Sequence, residues 1–558
     1  MKPVAVLLTI LLIASTPIFS YAQQSHNNEV RVGIDENHSW PLTMADVIRL
    51  ALENNRDIEV ERINAQQAGN DLLIARGSYD PTLSLGQFFT RQLSPVTSTL
   101  GGSTSGKLET KTLNSEFSLR GLVNTGLSYD VSATLTQVDT ANLFATLNPQ
   151  TNSSITFLLR QPLLRNRAID EARRRIRIAQ RRLDISDQQF RLRVIEIITQ
   201  VQRAYWDLVF ARRNVEIARQ SVALAESQIE RAQHMIDAGS QAPVDLVQIE
   251  AQRQRRQEDV LVALENITRA ENALKMLMLA ERTAPEWQYN IVPMDAPQVK
   301  ILDIDLAASI QNALVNRPEL TQFDLQQEIT RDDISYFRNQ TKPQLDLIVS
   351  YNFTGLAGTR VNRTNPLTAS NRQFFTRLNE ISQLLNLSPL PSPPTATVPD
   401  FLVGGLGQSF SNLFTNTFNS FRVGVQLQLP LRNLTARGQL ARAELESRKA
   451  TVQRQRMEGL IENEVRNALQ SVRTSQERIQ TAHAARVAAE LQLESEQRRY
   501  EAGLSTNFLV LTRQQELSET RGRELRALTD YDKALVELQR ATGTTLSLHN
   551  VEIHPPHP

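Results

Sequence analysis

The sequence contains no cysteine in its 558 residues, and this absence excludes several kinds of site. A disulfide framework, a thiolate metal site, a cysteine nucleophile and a lipoprotein anchor all require cysteine. An excess of charge of one sign is also missing, because 61 basic and 60 acidic residues leave a net charge of +1. A nucleic-acid-binding protein needs a basic excess, so we expect no nucleic-acid partner.

The signatures of an enzyme are missing as well. No glycine-rich phosphate loop ending in Lys-Ser or Lys-Thr occurs, so we expect no bound ATP. No serine, histidine and aspartate have a recognisable catalytic spacing. His549, His554 and His557 could bind a metal weakly, but a flexible tail over residues 546–558 explains them better. We therefore predict a protein that is not an enzyme and has neither cofactor nor metal site.

Long apolar runs are limited to the N-terminus. Val4–Ile13 follows Lys2, is too short to span a bilayer, and precedes the small-residue pattern Ser20-Tyr21-Ala22. This predicts a signal peptide over residues 1–22, with a buried strand or an uncleaved anchor as the alternative. No later run reaches 18 apolar residues, so a mature chain embedded in a membrane would have to form a β-barrel.

The chain repeats itself at a spacing of about 264 residues. Two glycine turns, two strand ends, two proline-led strands and two helix starts correspond in the same order, which indicates a duplication. The first repeat is predicted over residues 23–300 and the second over 301–545. The corresponding segments are His234–Gly239 and Arg498–Gly503, Gln161–Asn166 and Leu429–Asn433, Asp80–Leu83 and Lys342–Leu345, and Ala51–Ile58 and Ala313–Leu320.

Each repeat is predicted to contain three helices, two of which form a long hairpin. Thr43 and Asp303 are plausible N-caps of the first helix in each repeat. The predicted helices span residues 43–78, 167–235 and 243–281, and then 304–340, 434–499 and 506–542.

A strict seven-residue apolar stripe runs along the first long helix, from Val194 to Ile229. A second stripe of mostly small residues runs beside it from Ile197 to Ala225, so the two occupy the a and d positions of a left-handed supercoil. About 68 residues at ~1.5 Å rise give a rod of ~100 Å. An ordinary cytosolic coiled coil has the same pattern, but the signal peptide and the strands count against it.

The strands are predicted within residues 81–162 and 343–431 from strict alternation of apolar and polar side chains. Phe421 to Leu429 is one example. Such segments fit transmembrane strands around a wet lumen, although soluble sandwiches alternate too. Two strands per repeat give four per chain. Three chains then give twelve strands, the smallest assembly with room for a channel.

Two segments fall outside this count. An additional hairpin over residues 115–136, turning at Val123-Asn124-Thr125-Gly126, is either an extension of the sheet or a hairpin outside the membrane. The second repeat instead carries a loop over residues 355–420, which either narrows the mouth of the channel or is partly disordered.

The chain resembles the TolC-like outer-membrane efflux proteins over essentially the whole mature length. The residues that carry the resemblance are Gln161-Pro162-Leu163-Leu164-Arg165, Leu429-Pro430-Leu431-Arg432 and Tyr500-Glu501-Ala502-Gly503-Leu504-Ser505-Thr506, together with the duplication. The resemblance implies mainly helical repeats with β-strands: duplicated coiled-coil hairpins crossing the periplasm, and a 12-stranded transmembrane β-barrel formed by a homotrimer. It also implies outer-membrane lipid, a periplasmic adaptor and an inner-membrane pump as partners.

The resemblance further implies roles at the hairpin tips. Asp245 and Tyr500 match a pair that latches the tips shut, whereas the alternative is that Asp245 caps a helix and Tyr500 only packs. Ser505, Leu509 and Thr512 would line the constriction, where relatives carry charged side chains. Gly239, Ser240, Gly503 and Leu504 would contact the adaptor.

The predicted function is the passive exit duct of a tripartite efflux or type I secretion system. The alternative is a periplasmic coiled-coil adaptor or structural protein, and the sequence does not state the cargo.

Overall fold

The chain forms two compact units in the computed structural model. The structure describes residues 31–239, 242–297, 303–361, 366–391 and 397–553, so the predicted signal peptide and Ser240 lie outside them. The first unit comprises Met1–Glu59, Arg193–Asn316 and Glu462–Glu552, and the second comprises Val60–Leu192, Arg317–Ile461 and Ile553–Pro558. Each unit therefore takes segments from both predicted repeats.

The elements follow one another in a similar order in the two halves of the chain. The first half forms β1 (Asp35–Leu42), α1 (Met44–Asn54), α2 (Arg56–Arg76), β2 (Thr82–Pro95), β3 (Lys107–Leu122), β4 (Ser128–Thr140), β5 (Leu147–Pro162), α3 (Glu171–Asp237), α4 (Val244–Met278) and β6 (Tyr289–Pro293). The second half forms α5 (Leu306–Asn316), α6 (Pro318–Gln340), β7 (Gln344–Arg360), α7 (Pro366–Leu384), α8 (Leu406–Phe414), β8 (Phe418–Gln428), α9 (Leu434–Glu501), α10 (Asn507–Thr542) and α11 (Thr545–Leu548).

The second unit contains one antiparallel sheet with the strand order β2-β3-β4-β5-β7-β8. The additional hairpin predicted over residues 115–136 is thus β3 and β4, and its placement as an extension of the sheet is confirmed. The four strands predicted for this sheet are corrected to six, because the hairpin pairs along its length with β2 and β5.

The segment predicted as a loop over residues 355–420 is largely structured in its described part. β7 continues to Arg360, and α7 and α8 follow before β8 begins at Phe418. Helix α8 lies on β5 and β7, where Ser409 Oγ is 2.8 Å from Ser153 Oγ and Asn412 Nδ2 donates to Leu356 O at 2.8 Å. This corrects the alternative of a partly disordered loop for the described part of the segment, because polar side chains of α8 satisfy carbonyl groups of the sheet.

The first helix of each repeat is broken once, which corrects the continuous helices predicted over 43–78 and 304–340. Asn55 ends α1 in an extended conformation, and its side chain accepts the Asp57 N–H at 2.9 Å. Arg317 precedes Pro318, and a residue before proline is disfavoured in the helical conformation. Both breaks thus follow from the local conformation of one residue, which the spacing of apolar side chains does not indicate.

The two predicted N-caps have different outcomes. Thr43 caps α1 in a reciprocal box with Asp46, as expected. At the other helix Asp305 Oδ2, not Asp303, accepts an N–H, from Ala308 at 2.8 Å. Because α5 begins at Leu306, Asp303 lies too far upstream to reach its first turn.

The long helix α3 buries most of the predicted apolar stripe. Val194, Val201, Leu208 and Val215 are each at most 4% exposed, and Ile197 is fully buried. The seven-residue spacing therefore marks the packed face of α3, as expected for a coiled-coil seam.

A small parallel sheet of β1 and β6 in the first unit was not predicted. It lies beside a buried cluster in which the Glu271 carboxylate pairs with Arg31 and, at 3.1 Å, with Lys275. Lys275 Nζ also donates to the carbonyls of Trp287 and Tyr289 at 2.7 and 2.6 Å. These charges are hydrogen-bonded to backbone that only the folded chain brings together, so sequence spacing did not reveal them.

Candidate gate at the helical tips

Two glycine turns join the long helices to their partners within the first unit. Gly239 has φ +73° and Gly503 has φ +74°, and a Cβ added to either would meet no atom within 4 Å. Gly239 N donates to Ile236 O and Gly503 N donates to Tyr500 O, both at 2.9 Å. The left-handed conformation, rather than lack of space, thus explains why both turns carry glycine.

Tyr500 lies one turn before the second of these glycines and is buried. Its side chain is 6% exposed and belongs to an apolar cluster with Leu493, Val510 and Leu517, and Met235 of α3 packs against that cluster. The end of α9, the start of α10 and the end of α3 therefore meet at one point. An exposed tip tyrosine would have no such packing.

Asp245 lies in the first turn of α4 and is half-buried. The residue that follows it, Leu246, packs against a second cluster formed by Ala232, Ile249 and Leu511. Since Val510 and Leu511 are neighbours on α10, the two clusters lie on adjoining sides of that helix. The first turns of α10 are thus packed between α9 on one side and the α3–α4 hairpin on the other.

Polar side chains add two further links between α10 and the α3–α4 hairpin. Gln228 Nε2 donates to Asn507 Oδ1 at 3.0 Å, and both residues are buried. Arg256 is 1% exposed, and its Nη1 donates to Ser221 O at 2.8 Å and to Gln514 Oε1 at 3.0 Å. Burial lowers the pKa of Arg256, and nearby Asp259 offsets part of this effect. The seven-residue pattern did not predict these links, because they join polar side chains that lie far apart in the chain.

The predicted constriction residues occupy different environments. Ser505 Oγ donates to Glu496 of α9, so it is tied back to its own hairpin. Leu509 is 41% exposed, and Thr512 is exposed with its hydroxyl donating to Phe508 O at 2.8 Å. Thr512 also lines a groove of about 570 Å³ between α4 and α10.

The described part of the tip exposes several large apolar side chains. Leu504 is 72% exposed, directly after the glycine turn of the second repeat. Exposed apolar groups in one region commonly mark an interaction surface. The others on the first turns of α4 and α10 are Val244, Val247, Phe508 and Leu509.

The family model for outer membrane efflux proteins matches residues 47–278 and 395–544, which is more than half of the chain. The chain belongs to the outer membrane efflux protein family. This is a family of channel proteins, so the protein is located in the outer membrane with a periplasmic extension and takes part in transport. A search of curated proteins finds no significant match.

Solved outer-membrane channels share the fold of this efflux protein at low sequence identity. The Campylobacter jejuni CmeC channel is 16% identical, with 90% of this chain and 86% of that chain covered and a TM-score of 0.59. The Vibrio cholerae outer membrane protein VceC is 15% identical, with coverages of 90% and 96% and a TM-score of 0.58. The open-state Neisseria gonorrhoeae MtrE channel is 16% identical, with coverages of 90% and 89% and a TM-score of 0.57. Among the described helices, none is long and apolar enough to cross a membrane.

Proposed function

We propose that three copies of this chain form a passive exit duct driven by an inner-membrane pump through a periplasmic adaptor. The observation that carries the proposal is the pair of helical hairpins, whose corresponding turns both place a glycine at positive φ, in a chain that the efflux family model matches in both repeats. The alternative, a periplasmic adaptor, does not account for the six-stranded antiparallel sheet.

We further propose that Asp245 and Tyr500 hold the tips closed. Tyr500 is buried where α3, α9 and α10 meet, and Asp245 is half-buried at the start of α4. A hydrogen bond from a phenol to a carboxylate stabilises by ~1.5–3 kcal/mol. Loss of that bond would shift the ratio of open to closed tips by roughly ten- to a hundredfold.

The remaining tip residues have roles in the same proposal. Leu509 and Thr512 line a constriction without charged side chains of its own. Ser505 lies behind them, because its hydroxyl donates to Glu496 of α9. Gly239, Gly503 and Leu504 form the surface that an adaptor contacts, and the exposure of Leu504 supports this. Ser240 belongs to this proposed surface by sequence position alone.

Single-channel recording in planar bilayers tests the duct. The purified protein should conduct weakly, and Tyr500→Phe and Asp245→Ala should each raise the fraction of time spent open. A matched control is Tyr205→Phe, which also breaks a tyrosine–aspartate bond, from Tyr205 Oη to Asp295 at 2.7 Å. Tyr205 lies ~45 Å along α3 from the tip at ~1.5 Å per residue, so its loss should leave gating unchanged.

Two results would contradict these proposals. A trimer that stays silent even in the Asp245→Ala, Tyr500→Phe double variant would refute the duct. Equal effects of Tyr500→Phe and Tyr205→Phe would refute the latch but not the duct. Membrane fractionation addresses the adaptor alternative, because an adaptor would not appear as a heat-modifiable outer-membrane trimer.

A further inference from the structure

Both edges of the six-stranded sheet lack a second neighbour among the described residues. β2 pairs only with β3, and β8 pairs only with β7. All eleven residues of β8 are exposed, and so is most of β2. An open edge is not tolerated in lipid, because its N–H and C=O groups find no partner there.

The same face of the sheet can be followed from one edge strand to the other, because two rows of paired residues cross all six strands without a shift in register. One row is apolar on nearly every strand, and the next row is polar on every strand, as in a wall with lipid on one side and water on the other. The apolar row is Leu83, Leu119, Val131, Phe157, Tyr351 and Phe421, and the polar row is Ser84, Ser118, Ser132, Thr156, Asn352 and Ser420.

The hairpin β3–β4 is a full part of this wall. Its strands have 16 and 13 residues, within the range of the other strands in the sheet. Its turn lies against the β5–α3 junction, where Gln161 Nε2 donates to Thr125 O at 3.3 Å. A Cβ added to Gly126 would lie 3.0 Å from Asn166 O. The hairpin therefore cannot leave the sheet without breaking contacts at that junction.

The direction of the edges allows a ring of identical chains. Every neighbouring pair in the sheet is antiparallel, so β2 and β8, five steps apart, run in opposite directions. β8 of one copy can therefore add to β2 of the next in the same antiparallel sense, and repetition of this head-to-tail contact closes a ring.

We propose that the occupant of each edge is a second copy of this chain, and that three copies close an eighteen-stranded wall with the polar row inside. This rests on the proposed trimeric duct and deepens it. With strands ~4.8 Å apart and tilted by ~40°, the backbone cylinder is ~36 Å wide, against ~24 Å for twelve strands. The cross-sectional area of that cylinder is then about 2.2 times larger, which suits a bulkier cargo than a narrow duct passes.

Disulfide trapping tests the wall, and the absence of native cysteine removes background. Val423→Cys combined with Leu83→Cys or Leu85→Cys should give covalent trimers on oxidation, whereas Val423→Cys with Ser84→Cys, on the opposite face, should give few. A ladder that stops at dimers would refute three copies. Within one chain, Leu85→Cys with Phe117→Cys should link β2 to β3, and Leu83→Cys with Phe157→Cys should not link β2 to β5.

Labelling of single cysteines tests whether β3 and β4 lie in the wall. Ser118→Cys and Ser132→Cys should react with a membrane-impermeant maleimide at least about tenfold faster than Leu119→Cys and Val131→Cys. Equal rates at all four positions, or a β2–β5 link, would overturn the eighteen-stranded wall while leaving a conducting trimer possible. Loss of both the heat-modifiable trimer and conductance in the unsubstituted protein would instead defeat the duct itself.

Discussion

Replacement of Gln514 by leucine should destabilise the tip because it takes an acceptor away from a buried charge. Arg256 is 1% exposed, and in the described part of the chain its Nη1 donates to two groups, Gln514 Oε1 and Ser221 O. Its Nε and Nη2 have no hydrogen-bond partner among the described residues. The Gln514→Leu variant would therefore leave the guanidinium with a single acceptor.

The magnitude follows from the type of bond. A hydrogen bond to a charged group contributes ~1.5–3 kcal/mol, and a buried charge that loses its partner costs at least that much, so we expect ~2–3 kcal/mol for Gln514→Leu. Arg256→Met removes the charge and keeps most of the side-chain volume. It should cost less than Gln514→Leu, about 1 kcal/mol, because the desolvation penalty of the guanidinium disappears and only the uncharged Gln514 amide loses a partner.

The double variant distinguishes this reasoning from simple loss of packing. With the charge absent, Gln514→Leu no longer strands a donor. Arg256→Met with Gln514→Leu should therefore be about as stable as Arg256→Met alone, and more stable than Gln514→Leu. The cycle should give a coupling of roughly 2 kcal/mol, which additive packing losses would not produce.

The assay is urea unfolding of the detergent-solubilised protein followed by circular dichroism, with channel recording in parallel. Gln515→Leu is the matched control, since Gln515 is the half-buried neighbour and its amide donates to Glu519 on its own helix at 3.1 Å. Gln514→Leu should also increase channel opening, because the lost bond joins α10 to α4. Equal stabilities of Gln514→Leu and Gln515→Leu, or no rescue in the double variant, would refute the argument.

Three further predictions concern the first unit. Glu271→Gln should lower the free energy of unfolding by ~3–5 kcal/mol, because Arg31 and Lys275 stay buried while their counter-charge is removed. Glu265 is exposed, so Glu265→Gln should change the free energy of unfolding by less than ~1 kcal/mol in the same urea assay. Burial raises the pKa of the Asp532 carboxyl from 3.8 to about 7, so the folded protein keeps its full stability at pH 4 and loses part of it as the pH rises towards 7. Asp532→Asn should therefore be more stable than the unsubstituted protein by up to roughly 4 kcal/mol at pH 8 and equally stable at pH 4. A stability difference that does not change with pH would contradict this. Gly503→Ala should lower stability by ~1 kcal/mol because of its positive φ, against a smaller or opposite effect for Gly438→Ala inside α9, as thermal melting would measure.

The C-terminal tail contains a long-range contact that its local sequence did not predict. The histidines there were expected in a flexible tail, and His554 and His557 lie outside the described residues. His549, however, packs on α3, where its Nε2 lies 2.7 Å from Gln202 Nε2, and burial lowers the pKa of its imidazole. The composition of the tail does not indicate a contact with a residue that lies 347 positions away in the chain.

By itself, the sequence determined the features that depend on local periodicity. The seven-residue stripe of Val194 to Val215 predicts a buried helical seam, and alternation in Phe421 to Leu427 predicts a strand, because side-chain direction repeats every 3.6 or 2 residues whatever the rest of the chain does. The glycines at 239 and 503 were recognisable for the same reason, since only the local backbone requires them.

Only the tertiary structure decided which elements share a sheet and which charges are buried. The apolar and polar alternation of the hairpin at residues 115–136 is the same whether the hairpin extends the sheet or lies outside it. Long-range pairing with β2 and β5 raises the count from four strands to six. Arg256 and Glu271 likewise look like ordinary surface residues of a charged helix. Their burial depends on α10 and on residues near β6, which lie far away in the chain and approach only when the protein folds.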